Sequence, residues 1–352
     1  MNLPMDLNKT VEACAAFNNF PRVRLATLPT PLEEAVHLSA ALKGPRIFFK
    51  RDDLTGAGLG GNKVRKLEFV LARALESGAD TVVVVGGFQS NLARIASAMG
   101  ARLGLQVELV LGGLPDEPRP MTGNLLLDRL FGAKVTMVDT EIRWEFGDAV
   151  QVVVERLQRE GRKPFVVPLG GAGPEGMAGY VNATQEMLEQ FEAIGIEPDY
   201  LAVPIGSGGT YSGLMLGALH FDAPYRVLGI SVSRTRDYLL ERVPAEAASA
   251  AVQLGLDAVP GADDLLIHDD YVGTGYGEST AGAMEAIRLV AETEGILLDP
   301  VYSAKCMHGV IELIRRGEIG ADQTLVFLHT GGWPALFAYA PESFGVSDGP
   351  KA

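Results

Sequence analysis

From about Ile47 onward, short runs rich in valine, leucine, isoleucine and phenylalanine alternate with longer stretches whose apolar residues recur at helical spacing. This alternation predicts a parallel sheet with helices packed on both faces, an α/β fold. Strands are expected at residues 46–50, 81–85, 106–111, 134–138, 164–167, 200–203, 227–232 and 324–328. Helices are expected at 62–77, 90–104, 124–131, 148–160, a long one ending at Ile194, then 211–218, 279–293 and 303–316. Between residues 232 and 279 the chain reads as a variable polar stretch, Pro115, Pro118 and Pro120 mark a surface loop, and residues 341–352 read as a tail. The units up to residue 167 can form one lobe and the remainder a second.

Composition narrows the class. A chain of 352 residues with 47% hydrophobic and 21% charged positions has enough apolar material for a large core. Its 44 acidic against 30 basic residues, a formal charge of −14, disfavour nucleic acid and anionic membranes as partners. Two cysteines, Cys14 and Cys306, cannot make a disulfide framework, and the five histidines form no zinc-binding pattern. No metal is expected, and a reduced, cytoplasmic setting fits. Residues 1–20 lack the basic and apolar segments of a signal peptide, and no run is long enough to span a membrane.

Ligands of open α/β sheets sit beyond the carboxyl ends of strands, so the turns after strands carry the chemistry. The most unusual is Leu59 to Phe69, where a glycine turn enters a helix whose first turn holds Lys63, Arg65 and Lys66. Three cations at the positive end of a helix dipole are unfavourable unless an anion or a covalent partner compensates. Lys63 there is a candidate Schiff-base former, its ammonium disfavoured by the helix end and its cationic neighbours. The same stretch reads equally as a solvated basic helix start. Gln89-Ser90-Asn91 places a hydroxyl and an amide at a helix amino end, which alone reads as an N-cap. Gly206-Ser207-Gly208-Gly209-Thr210 forms a cup of backbone N–H groups and hydroxyls suited to a phosphate. Thr330-Gly331-Gly332, Tyr302-Ser303 and the glycine-flanked Tyr276 are each ambiguous singly. Gly56 to Gly61 also satisfies the dinucleotide pattern G-x-G-x-x-G, but no acidic residue closes the next strand, which weakens a Rossmann reading.

Taken together and in order, LPTPLE (28–33), KRDDLTG (50–56), GGNKVRKLEF (60–69), QSN (89–91), TEGILLDPVY (293–302) and HTGG (329–332) resemble the D-cysteine desulfhydrase and 1-aminocyclopropane-1-carboxylate deaminase family. These are fold type II pyridoxal-phosphate enzymes, and the resemblance runs from about residue 21 to Tyr339. It implies two open twisted sheets flanked by helices, as in the tryptophan synthase β subunit. Residues 1–64 and 166–352 would make a large cofactor-binding domain and 65–165 a small one. Lys63 would hold pyridoxal 5′-phosphate covalently, Asn62 would contact its ring hydroxyl, and Gly206, Ser207, Gly208, Gly209 and Thr210 its phosphate. Gln89, Ser90 and Asn91 would take the substrate carboxylate. Tyr276 and Tyr302, with Ser90, would serve the reacting carbon, and a homodimer is implied.

Two positions separate the branches. The cyclopropane deaminases resembled here have Glu where this chain has Ser303, and Leu where it has Thr330. A hydroxyl near the pyridine nitrogen suits β-elimination with a good leaving group, so the pattern is similar to the desulfhydrases. The expected reaction converts D-cysteine to pyruvate, ammonia and hydrogen sulfide. L-cysteate sulfo-lyase, the cyclopropane deaminase and a catalytically silent cofactor-binding protein are the alternatives. Leu92 where the family has His, and Ala304 where it has Gly, depart from the pattern and leave the leaving group open.

Overall fold

The computed structural model describes residues 11–14, 20–113, 121–139, 146–339 and 341–344. In chain order the elements are β1 (Val11–Cys14), β2 (Phe20–Val23), β3 (Leu32–Glu34), α1 (Val36–Leu42), β4 (Arg46–Lys50), α2 (Asn62–Glu76), β5 (Thr81–Gly87), α3 (Asn91–Leu103) and β6 (Gln106–Gly113). There follow α4 (Gly123–Leu130), β7 (Lys134–Asp139), α5 (Gly147–Arg159), β8 (Pro164–Val166), α6 (Pro174–Ile194), β9 (Tyr200–Ile205) and α7 (Gly209–His220). The chain then forms β10 (Arg226–Ser231), α8 (Arg236–Leu254), β11 (Leu266–His268), α9 (Ala281–Glu294), α10 (Ser303–Arg315) and β12 (Thr324–Leu328).

Six strands in the order β11-β10-β9-β12-β4-β3 make the larger sheet, parallel except for the edge strand β3. A second sheet, β7-β6-β5-β8, is parallel throughout. The α/β class with two helix-flanked sheets is therefore what the chain adopts. Alternation explains why its strands are apolar on both faces. In the larger sheet Ile47, Phe49, Leu325 and Phe327 pack into the core beneath α9 and α10, while Phe48, Val326 and Leu328 pack into the opposite one with Tyr180 and Leu214. In the smaller sheet Val82 and Val84 face α2 and α3, and Val83 and Val85 face α5. No helix among the described residues is long and apolar enough to cross a membrane.

The structure departs from the sequence reading in several places. The stretch between 232 and 279 contains the 19-residue helix α8 and strand β11. That helix buries Leu239, Val243, Ala247, Ala250, Ala251 and Leu254 along one stripe, capped by Thr235 and ended by Gly255. Its small stripe residues and internal Pro244 hide the periodicity. Strands β1 to β3 precede the first expected strand, and each has four residues or fewer. Residues 341–344 form a 3₁₀ turn, and the Phe344 carbonyl accepts a bond from Arg288. The proline loop at 115–120 and residues 345–352 lie outside the described residues.

The helix carrying Lys63 is anchored by a buried ionic cluster. Arg65, 2% exposed, donates to both carboxylate oxygens of Asp52 (2.9 Å each), to Glu186 (2.8 and 2.9 Å) and to Thr30 Oγ1 (3.0 Å). Lys50 Nζ reaches Glu186 at 2.5 Å, and Tyr180 donates its hydroxyl to Asp52 at 2.7 Å. Burial opposes ionisation of Glu186, yet the bonds and charge of Arg65 and Lys50 hold its carboxyl at about 2. Removing one partner of such a cluster strands the opposite charge. Arg65→Met is expected to lower unfolding stability by about 3–5 kcal/mol, read as a shifted urea midpoint. A shift no larger than that of an exposed pair would show that the cluster does not anchor the helix.

Candidate active site

The larger sheet ends at its carboxyl edge in turns that converge on one pocket, which the end of β5 and the start of α3 close from the side of the smaller sheet. After β4 the chain makes two 3₁₀ turns, Asp52–Leu54 and Ala57–Leu59, then enters α2 through Gly60 and Gly61. A Cβ on Gly60 would lie 1.9 Å from the Asp53 carbonyl oxygen, so only glycine fits that approach. Gly61 N–H donates to Asp52 O (2.9 Å) and Thr55 Oγ1 (2.8 Å), and Asn62 N–H to Thr330 O (3.0 Å). The first turn of α2 is thereby tied to the turns after β4 and β12.

Lys63 opens onto the pocket and donates from Nζ to Gly170 O at 3.0 Å. Burial lowers its pKa from 10.5 to about 8. Burial is the cause here rather than the neighbouring cations of the sequence reading, of which Arg65 is turned away into Asp52 and Glu186. Lys66, fully buried, donates to the same Gly170 oxygen at 2.9 Å, and burial, followed by the charge of Lys63, lowers its own pKa far below the ordinary value.

Asn62 lines the pocket with its amide bonded to Thr210 Oγ1 at 3.1 Å. Gly206, Ser207 and Gly208 form the turn between β9 and α7, whereas Gly209 and Thr210 already belong to the first helical turn. All but Gly209 line the pocket, and a Cβ on Gly209 would lie 2.9 Å from Lys66 Nζ. Ser90 caps α3, its Oγ accepting the Ala93 N–H at 3.2 Å, and it also lines the pocket. Asn91 lines it too, its carbonyl accepting from Asn124. Gln89 is turned outward, bonding Thr122 O and the Asn124 N–H, and is not among the lining residues.

Across the pocket the hydroxyls of Tyr276 and Tyr302 are 2.6 Å apart, their rings edge to face. Burial, then Tyr276, raises the Tyr302 pKa well above the phenolic range. Ser303 is buried and donates to Asp299 Oδ1 at 2.7 Å; it does not line the pocket, although Thr330 does. Asp299 also accepts the N–H groups of Val301, Tyr302 and Ser303, fixing the turn that leads into α10.

Sequence reasoning passed over Gly170 as the carbonyl that holds Lys63 and the buried Lys66 beside it, Asp299 as the acceptor of the Tyr302 N–H, and Ser233 and Arg234 in the lining. The GGAG run preceding α6 was the only signal for Gly170. Arg234 had none, because its position depends on where β10 ends.

Pyridoxal phosphate fits these residues. A buried amine with a lowered pKa meets an aldehyde, and the amino end of α7 offers N–H groups to a phosphate. None of the described lining residues is an Asp or Glu, while Lys63 and Arg234 are cations. The model of the family described as pyridoxal-phosphate dependent enzyme matches residues 23–331. D-cysteine desulfhydrase of Salmonella typhi is 40% identical over 325 residues, covering 92% of this chain and 97% of that protein. A crystal structure titled as the ACC deaminase homologue is 38% identical with a TM-score of 0.86, covering 94% of this chain and 98% of its own. An O-ureido-L-serine synthase structure, 17% identical with a TM-score of 0.63 over 99% of this chain and 96% of its own, shares the fold alone. The chain belongs to the D-cysteine desulfhydrase and 1-aminocyclopropane-1-carboxylate deaminase family of fold type II pyridoxal-phosphate dependent enzymes.

Proposed function

We propose that the protein catalyses β-elimination on a small amino acid, with D-cysteine giving pyruvate, ammonia and hydrogen sulfide. The observation that carries this reading is the lining itself. Its described residues include the hydroxyl residue Thr330 and no carboxylate, which suits a reaction driven by a good leaving group. When bound, pyridoxal phosphate supplies an aldehyde that exchanges amines and a conjugated ring that accepts the electron pair released at the substrate α-carbon.

The chain's residues divide the remaining work. Gly206, Ser207, Gly208, Gly209 and Thr210 hold the phosphate at the amino end of α7, and Asn62 takes the ring hydroxyl. Ser90 and Asn91 bind the substrate carboxylate at the amino end of α3, with Gln89 fixing that turn against Asn124. Lys63 is the base: with a pKa near 8 its free amine takes the α-proton. The Cβ–S bond breaks as that proton leaves, and the departing sulfur takes a proton from the Tyr276–Tyr302 pair. Burial keeps the Tyr302 hydroxyl protonated at neutral pH, so it supports a donor's role rather than a base's. Water then hydrolyses the unsaturated amine to pyruvate and ammonia, so D-cysteine and one water balance the three products. A cyclopropane substrate has no α-proton for Lys63 to take. A homodimer in the cytoplasm is the proposed working form, supported by the family resemblance and the reduced-cysteine composition.

One observation favours a second leaving group. Arg234 lines the pocket beside the glycine cup, its guanidinium 5.1 Å from the Tyr238 ring centre, and a cation there suits the sulfonate of cysteate.

Purified, cofactor-loaded protein is expected to form pyruvate and sulfide from D-cysteine faster than pyruvate from L-cysteate or the cyclopropane amino acid. The reverse order for cysteate would overturn the thiol assignment, and Arg234→Gln should then weaken cysteate turnover selectively. Pyruvate from none of the three would overturn β-elimination of these substrates. Lys63→Ala should lose about 10²–10⁴-fold or more in kcat together with the visible band of the lysine-bound cofactor.

Cofactor uptake tests the amine directly. At pH 7 a group with a pKa near 8 is about one-tenth free amine, against about one part in three thousand for an ordinary lysine. The rate of uptake by cofactor-free protein should therefore rise with pH to a plateau with a midpoint near 8. A rise continuing unchanged toward 10.5 would contradict the lowered value.

A further inference from the structure

Lys305 sits on α10, three residues beyond Tyr302, and is completely buried. Its ammonium donates to Val272 O at 2.6 Å and to Gly275 O at 2.9 Å. Both carbonyls belong to the loop that presents Tyr276. In that loop Gly273 and Gly277 take φ of 69° and 83°, and the turn bonds from Val272 N–H to Asp269 O and from Glu278 N–H to Gly275 O are long, 3.4 Å each. A second tie comes from Tyr339, whose hydroxyl donates to Gly277 O at 2.6 Å. Yet Tyr276 must be held closely enough to keep its hydroxyl 2.6 Å from that of Tyr302.

We propose that Lys305 is a positioning residue: by clamping the carbonyls of Val272 and Gly275 it holds the glycine-rich loop so that Tyr276 meets Tyr302. It acts on the reaction only through that pair, and so rests on the reading that the pair protonates the leaving group. Tyr302 is the residue at which the chain enters α10 and Lys305 lies in the first turn of that helix, so the start of α10 sets the spacing between the clamp and Tyr302. An ammonium suits the task because its three donors on a flexible stem reach carbonyls three residues apart through charge-assisted bonds. A buried ammonium in turn requires those carbonyls, which makes lysine and loop order each other.

The test uses the full chain as Lys305→Met, Lys305→Ala and Lys305→Arg, with hydrogen exchange followed by mass spectrometry on cofactor-free and cofactor-loaded protein. In Lys305→Met, exchange of residues 272–277 is expected to quicken about tenfold or more, while that of 306–315 changes far less. For the loaded enzyme, kcat should fall about 10–100-fold with KM within about threefold and the cofactor band retained. Ethylammonium at tens of millimolar should restore loop protection and part of the rate to Lys305→Ala, and Lys305→Arg should retain more of both than Lys305→Met. Unchanged loop exchange in Lys305→Met would overturn the clamp, and so would exchange rising equally along α10 or a failure of both ethylammonium and arginine to restore protection. Tyr276→Phe separates the two readings: full activity there would remove the tyrosine pair from the proposed reaction while the exchange data still judge the clamp.

Discussion

The buried guanidinium of Arg65 sets the orientation of everything around the pocket. Asp52 binds it through both carboxylate oxygens, and Glu186 binds it from α6. Successive residues on an α-helix are turned by about 100°, so Lys63 points about 200° away from Arg65 and Lys66 about 60° from Lys63. Fixing Arg65 in its carboxylate cage therefore sends Lys63 toward the opposite side, with Lys66 close beside it. Both amines reach the one carbonyl of Gly170 for that reason. The three cations that looked alike at the helix start thus serve different ends: Arg65 holds the helix, Lys63 opens onto the pocket, and Lys66 lies buried beside it on the same carbonyl.

That division also explains how an acidic protein keeps a cationic pocket. The chain carries a formal charge of −14, yet no Asp or Glu lies among the described lining residues. Asp52 and Glu186 are occupied by Arg65 and Lys50, and Asp299 by the backbone N–H groups of the turn into α10 and the Ser303 hydroxyl. The backbone adds to the effect, since α3 and α7 both begin at the pocket and present their positive ends to it. The proposed phosphate and α-carboxylate sites thus each lie at the positive end of a helix.

Much of this was legible in the chain. Runs such as Thr81 to Val85 and Leu325 to Leu328 are apolar on both faces and read directly as buried parallel strands. The lysine turn and the glycine cup stood out because each places unusual chemistry after a strand, whereas the two tyrosines were ambiguous singly and entered through the family resemblance. What was hidden depends on long-range contact. Nothing near Arg65 shows that Glu186, 121 residues away, will pair with it, so its cation was counted with that of Lys63. Ser90 read alone as a cap, and only the placement of β5 and α3 beside the larger sheet puts that capping serine in the pocket lining. The helix α8 was obscured by its alanine-rich stripe and Pro244, and Arg234, just before it, was lost with it.

Burial has opposite consequences for the two kinds of acid–base group in the pocket. It disfavours charge, and so lowers the pKa of an amine and raises that of a phenol. Lys63 falls to about 8, whereas Tyr302 rises well above its ordinary value. Near neutral pH the amine is then partly free to accept a proton and the phenol keeps one to give. The proposed division into a base on one side of the substrate and an acid on the other needs no separate electrostatic device for each. It needs one enclosed pocket and a geometry that holds the two groups apart, the first supplied by the rotation of α2 about Arg65 and the second by the loop that carries Tyr276 against α10.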